Sequence, residues 1–146
     1  MSEFVPKKVY IAAPWAIRGD MEEIAQKLEA KGHTITHRWW EAENVPESDR
    51  DAPFMRKMAV LDGQGVIDAD VMLLINSAKS EGKAVEQGIA LSYGLPIIVV
   101  GRRGEISKNV FHYLLNYLWY DDLESAIEKV GNVVIKEVEE GEYGVA

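Results

Sequence analysis

Glu86 is the side chain around which a reaction can be built. It lies in residues 80–100, which read as a loop, a helix, a tight turn and a buried strand. A glycine-bearing loop ahead of a helix exposes free backbone N–H groups, which suit anions. The helix dipole there favours an ionised carboxylate by about 0.3–1 kcal/mol at an exposed site. A carboxylate held at the lip of a parallel sheet can serve as a nucleophile, a base or an ordinary helix-start acid; the nucleophile is the reading adopted. Asp62 is the second candidate. Met55, Ala59, Asp62 and Val66 share one face of an expected helix over residues 54–65, so this carboxyl sits on an otherwise apolar stripe. Burial there raises its pKa, and two carboxyls in different environments can divide the work of nucleophile and acid.

Other groups fall near the same sheet edge. Ser80 on its own reads as a helix cap. Arg18, with Gly19, lies in the loop after the first strand; an arginine grips phosphate bidentately, although Arg18, Lys83, Arg102 and Arg103 also read as solvated surface charges. Trp15, Trp39 and Trp40 can stack a nucleobase, with packing the commoner fate of tryptophan. His33, His37 and His112 lack a metal-ligand spacing, so no metal is expected. Neither a Walker loop nor a G-x-G-x-x-G after the first strand is present, which removes the phosphate cradles of triphosphate and dinucleotide sites.

The elements that must position these groups alternate in type. Residues 9–13 form an apolar run ended by Pro14, after a disordered leader over residues 1–7. Asp20 is expected to cap a helix whose apolar face is Met21, Ile24, Ala25 and Leu28, with a Glu23–Lys27 pair on its wet side and Gly32 closing it. Residues 34–39 read as a strand near an edge, and residues 41–53 as a long loop of the kind that forms functional lids. Residues 71–76 should be a central strand. Val85, Ile89 and Tyr93 are expected as the core face of the helix that carries Glu86, followed by a strand at 97–100 and a basic loop at 101–104. Residues 109–118 have helical spacing, Trp119 and Tyr120 can close a fifth strand, and Asp121 with Glu124 resembles a capping box. Leu123, Ala126, Ile127 and Val130 mark the last helix; residues 133–146 read as a strand, a helix extension or an arm to a partner chain. This alternation predicts one doubly wound α/β domain over residues 1–146, with the loops 13–20, 77–83 and 101–108 on the sheet edge where ligands bind.

Composition sets outer limits. The chain has 146 residues, no cysteine and a net charge of −8. It therefore offers no thiolate chemistry, and its charge disfavours binding to a nucleic-acid polymer, which relies on Lys and Arg. A small phosphorylated ligand needs only one or two local cations. No apolar run approaches the ~20 residues of a membrane span, and no signal-peptide pattern opens the sequence. The expectation is a cytoplasmic protein.

Residues 10–14, the pair Asp62 and Asp70, and residues 82–94 with Glu86 together resemble the nucleoside 2-deoxyribosyltransferase superfamily, which includes nucleoside 2'-deoxyribosyltransferases and 2'-deoxynucleoside 5'-monophosphate N-hydrolases. The match covers roughly residues 8–100. The resemblance implies a flavodoxin-like fold with a five-stranded parallel sheet, no cofactor, and a homodimer or higher homo-oligomer whose sites borrow residues from a neighbour, where Asn109 and His112 lie. It implies a covalent glycosyl intermediate on Glu86, proton transfer to the leaving base by Asp62, and orientation of the nucleophile by Tyr10. Ser80 matches the serine that binds a 5'-phosphate in the hydrolases, where the transferases carry an aspartate. Arg18, Gly19 and Gly82 match the loops around the substrate. Two departures stand out: Gly82-Lys83-Ala84-Val85-Glu86 where relatives usually carry two glycines, and Ala13-Pro14-Trp15 where the hydrolases carry glycine and serine. The expected activity is hydrolysis of a nucleoside 5'-monophosphate at its N-glycosidic bond. Base transfer by the same intermediate and a non-catalytic nucleotide sensor stand as alternatives, and an FMN carrier is disfavoured by its missing Ser/Thr-rich loop.

Overall fold

The structure, a computed structural model, describes residues 4–135. Strand β1 (Lys8–Ala12), helix α1 (Met21–Ala30), β2 (Thr34–Ile35), α2 (Ala52–Ile67), β3 (Val71–Ile75), α3 (Glu81–Ser92), β4 (Ile97–Val100), β5 (Tyr117–Tyr120) and α4 (Leu123–Asn132) follow in that order. The five strands form one parallel sheet in the order β2-β1-β3-β4-β5, the flavodoxin-like order. β1 and β3 are near-continuous apolar runs because they are covered on both faces; Val9, Tyr10, Ile11, Val71, Met72, Leu73 and Leu74 are wholly inaccessible. Right-handed crossovers place α1 on one face and α2 and α3 on the other. α4 joins α1, tied to it by a 3.0 Å Lys27–Glu124 ion pair. The chain reverses its direction across the sheet between β1 and β3, so the crevice lies at the carboxyl ends of those two strands.

Several local expectations are corrected. Residues 4–7 are tied down rather than loose: Val5 N donates to Gly131 O at 2.8 Å, and buried Lys7 donates its N–H to His33 Nδ1 at 3.0 Å. Residues 15–20 form 3-10 turns, and Asp20 makes no capping hydrogen bond because its backbone is already helical. Lys27 forms its ion pair with Glu124, not Glu23. β2 is two residues long, since Trp39 starts another 3-10 segment, Trp39–Asn44. α2 starts earlier, at the Asp51 cap, which accepts from Phe54 N at 3.0 Å. Its expected face fails at one end: Met55 and Ala59 are exposed, and only Gly65 and Val66 are buried. Residues 109–118 hold only a 3-10 turn, Val110–Tyr113, before β5. The cap of α4 is Asp122, which accepts from Ser125 N at 2.8 Å, not Asp121, which pairs with Arg102. Residues 133–135 lie in neither helix nor strand, and the expected tail beyond them falls outside the described residues.

Gly32 and Gly101 have φ of 102° and 148°, where only glycine is relaxed. Gly101 also packs against Asn76 at the end of β3: a Cβ there would lie 3.4 Å from both the Asn76 Cβ and its carbonyl oxygen. Asp70 accepts the N–H of Lys8 at 2.8 Å and so fixes the start of β1.

Candidate functional site

α3 buries a different stripe from the expected one. Lys83, Gln87, Ala90 and Leu91 face the core, while Val85 and Tyr93 are exposed and Ile89 is half-buried. The spacing i, i+4, i+7, i+8 is that of one helix face; two of its members are polar and are buried because partners await them. Lys83 Nζ donates to Asn76 Oδ1 at 3.0 Å and to Ala78 O at 2.6 Å. Gln87 Nε2 donates to Lys83 O at 3.1 Å, and Tyr117 OH donates to Gln87 Oε1 at 2.8 Å.

This rotation sets Glu86 at the border of the buried stripe, half-buried, against the fully buried Tyr10 of β1. The Tyr10 hydroxyl donates to Glu86 Oε2. Burial pushes the Glu86 carboxyl up to about 7; the Tyr10 hydrogen bond opposes the shift, the Asp62 charge adds to it, and Lys83 opposes it. The Tyr10 phenol is itself pushed up, by burial first and then by Glu86 and Asp62, so it stays a proton donor. A carboxylate that is about half ionised near neutrality, with one oxygen oriented by a phenol, is a serviceable nucleophile or base.

Asp62 lies on α2, one turn before the close contact of that helix with β1. At Gly65 a Cβ would lie 2.8 Å from the His37 Cβ and 3.0 Å from the Tyr10 ring, so the glycine lets α2 approach. Asp62 Oδ1 is 3.1 Å from His37 Nε2. The pair is within ion-pair distance, and among the described residues neither buried atom has another partner. Burial raises the Asp62 pKa and His37 opposes the rise. Tyr10, Asp62 and Glu86 are thus brought together, with His37 and Lys83 beside them.

The remaining candidates are spread around this group. Ser80 caps α3, accepting from Lys83 N at 3.3 Å, and stands six residues before Glu86, about 9 Å along the axis. Gly82 is exposed in the first turn of the same helix. Arg18 is turned toward its own loop: Nη1 donates to Trp15 O at 3.0 Å, and the guanidinium lies 4.6 Å from the Trp15 ring centroid. Arg50, from the 45–51 segment, lies 5.6 Å from the same ring. Trp15 is exposed, whereas Trp39 and Trp40 are core residues whose indole N–H groups donate to Ile11 O and to Glu22. Gly19 is exposed with open space around it. Asn109 caps the 3-10 turn at Val110–Tyr113, accepting from Phe111 N at 3.0 Å, and among the described residues nothing links it to Glu86.

Sequence reasoning weighed His37 only as a metal ligand, passed over Asn76 and Arg50, and read Lys83 as a surface charge. Gly65 was the available signal for His37, since a glycine inside a helix marks a close approach. Among the described residues, no cluster of three or more His, Asp or Glu side chains could hold a metal ion, and no helix is long and apolar enough to cross a membrane.

No protein-family profile matches the sequence, and no curated protein matches it. Solved structures do match the fold. A 2-deoxyribosyltransferase from Bacillus psychrosaccharolyticus superposes with a TM-score of 0.59 at 19% identity, over 90% of this chain and 98% of that one. The Clostridium botulinum CMP N-glycosidase BcmB superposes with a TM-score of 0.51 at 16% identity, over 85% of this chain and 98% of that one. The chain therefore has the fold of a 2-deoxyribosyltransferase and of a nucleotide N-glycosidase, along nearly the whole length of each.

Proposed function

We propose that this protein belongs to the nucleoside 2-deoxyribosyltransferase superfamily and hydrolyses the N-glycosidic bond of a (2'-deoxy)nucleoside 5'-monophosphate. The observation that carries the reading is the Tyr10–Glu86 hydrogen bond beside Asp62 at the switch point of the sheet. In the first step Glu86 attacks C1' of the sugar, the bond from C1' to the base nitrogen breaks, and Asp62 gives its proton to that nitrogen. The product is a glycosyl ester of Glu86 and a free base. In the second step water attacks C1', its proton passes to the Asp62 carboxylate, and Glu86 is released. Both steps cross an oxocarbenium-like state that a nearby carboxylate stabilises. Tyr10 holds Glu86 by its Oε2 and leaves the other oxygen for the sugar. Ser80 and Gly82 at the α3 N-terminus, and Arg18 and Arg50 around Trp15, supply donors for a 5'-phosphate; Gly19 gives the Arg18 loop room to move, and Trp15 offers a face to the base.

Incubation with deoxynucleosides and their 5'-monophosphates, read by chromatography, is expected to release free base and sugar phosphate from the monophosphates. Intact mass should show a transient adduct of one sugar phosphate. Absence of both products and adduct across the panel sinks the proposal and leaves the nucleotide sensor. The likeness to a deoxyribosyltransferase favours one second reading, in which a base replaces water in the second step. Exchange of an added base, with no free sugar phosphate, would establish it.

We also infer a homo-oligomer. Val85 on α3, Met55 and Val60 on α2, and Val110, Phe111 and Leu115 before β5 are all exposed, and among the described residues the connection from β4 to β5 carries a 3-10 turn in place of a full helix. Apolar surface left open in this way marks an interaction site, and Asn109 borders it. Light scattering should return at least twice the monomer mass; a monomer at working concentration removes the inference and the role given to Asn109.

A further inference from the structure

Lys83 is the charged side chain most deeply buried among the described residues, 3% exposed. It is the third residue of α3, one turn before Glu86, and it holds the chain at two points. Asn76, the first residue after β3, receives one Nζ proton, and the Ala78 carbonyl receives another. The Asn76 backbone is anchored in turn by its N–H to Val100 O at 3.0 Å and by its packing on Gly101. An ammonium has three protons to give, and two are used here. Both acceptors are neutral, and a buried charge without a counter-charge is costly. Among the described residues, the anion whose field acts on it is Glu86.

We propose that Lys83 is a positioning residue: it clamps the β3–α3 loop, residues 76–80, to the helix that bears Glu86, and sets a buried positive charge one helical turn from that carboxyl, where it favours the ionised form. The catalytic use of that charge rests on the reaction proposed above. The groups that face the pair are Tyr10 from β1, Asp62 from α2 with His37 behind it, and His112 from the turn before β5. Tyr10 stays protonated and Asp62 opposes ionisation of Glu86, so Lys83 is the cation of this set that lies on the nucleophile's own helix. Burial brings the Lys83 pKa down to about 8, and Glu86 opposes that fall. Its charge is therefore present at neutral pH and lost soon above it.

The sign follows. Removing the charge raises the Glu86 pKa above about 7, so the acidic limb of the rate profile moves to higher pH. Each unit of that movement lowers the ionised fraction at pH 7 from about one half to about one tenth, a rate loss of about fivefold. The loss should disappear by about pH 9, where the wild-type lysine has itself become neutral. A purely structural role would lower the rate equally at every pH.

The test is a titration of the Glu86 carboxyl carbon by NMR in wild type, Lys83→Met and Lys83→Arg, run beside pH–rate profiles of the same three proteins. The Met variant is expected to titrate at higher pH, with its acidic limb displaced by the same amount. The Arg variant, which keeps a charge, should titrate as wild type does. An unchanged Glu86 titration in Lys83→Met overturns the inference. If the variants do not fold, the wild-type curve decides: a second inflection near the Lys83 pKa supports the coupling and a single-step curve overturns it. Turnover lost in every protein, wild type included, would instead overturn the proposed reaction, while the titration still reads the charge of Lys83.

Discussion

Glu86→Gln is expected to lower turnover by about 10³-fold or more, because an amide cannot form the glycosyl ester on which both chemical steps depend. The substitution is nearly isosteric. Glutamine can still accept from Tyr10, and the half-buried position on α3 is already one where burial favours a neutral group. The fold should therefore survive, and a loss of rate with unchanged circular dichroism would be chemical rather than structural. Intact mass adds a second readout: wild type acquires the sugar phosphate during turnover and the variant does not. A variant that keeps a tenth of the wild-type rate would exclude Glu86 as nucleophile and move the reading to direct attack by water.

Asp62→Asn is expected to cost about 10²-fold on natural substrates, the lower end of what general acid–base catalysis contributes. The loss should depend on the leaving group. A deoxyribosyl fluoride expels fluoride without a proton, so the first step, read as the burst of fluoride, should be nearly unaffected, whereas a nucleobase needs one. The pH profile gives an independent sign. Asp62 and Glu86 feel each other's charge and both are raised by burial, so the pair titrates as a unit that works with one proton between its members. At low pH a second proton binds and silences the nucleophile. Above the working range the shared proton is lost and the leaving base goes unprotonated. The wild-type profile should be bell-shaped, and in Asp62→Asn the alkaline limb should vanish. Equal losses in the first step on the fluoride and the nucleotide would show that Asp62 supports the fold rather than the proton.

The alternation of apolar runs with helical spacings was enough to read the parallel sheet, because strands covered on both faces have little choice but to be continuously apolar. β1, β3, β4 and the face of α1 are legible for that reason. Elements near the rim were less so. Residues 109–118 carry helical spacing but fold to a single 3-10 turn, and the cap of α4 moved from Asp121 to Asp122. Spacing says which residues share a stripe; it does not say which stripe turns inward. On α3 the apolar choice, Val85 with Tyr93, lost to Lys83 with Gln87, since the partners that make burial of a lysine tolerable come from Asn76 and Ala78 for Lys83 and from Tyr117 for Gln87.

The candidate site divides along the same line. The sequence by itself determined the order and type of the elements, the position of Glu86 near the start of a helix, and the residue types available at the carboxyl edge of the sheet. Those are local properties, written in spacing and composition. Only the tertiary structure decided that Tyr10 donates to Glu86, that His37 stands against Asp62, that Arg18 and Arg50 converge on Trp15, and that Lys83 is buried rather than solvated. Each of these joins residues from separate elements. Their protonation depends on burial and on charges brought close by folding, which no local pattern contains.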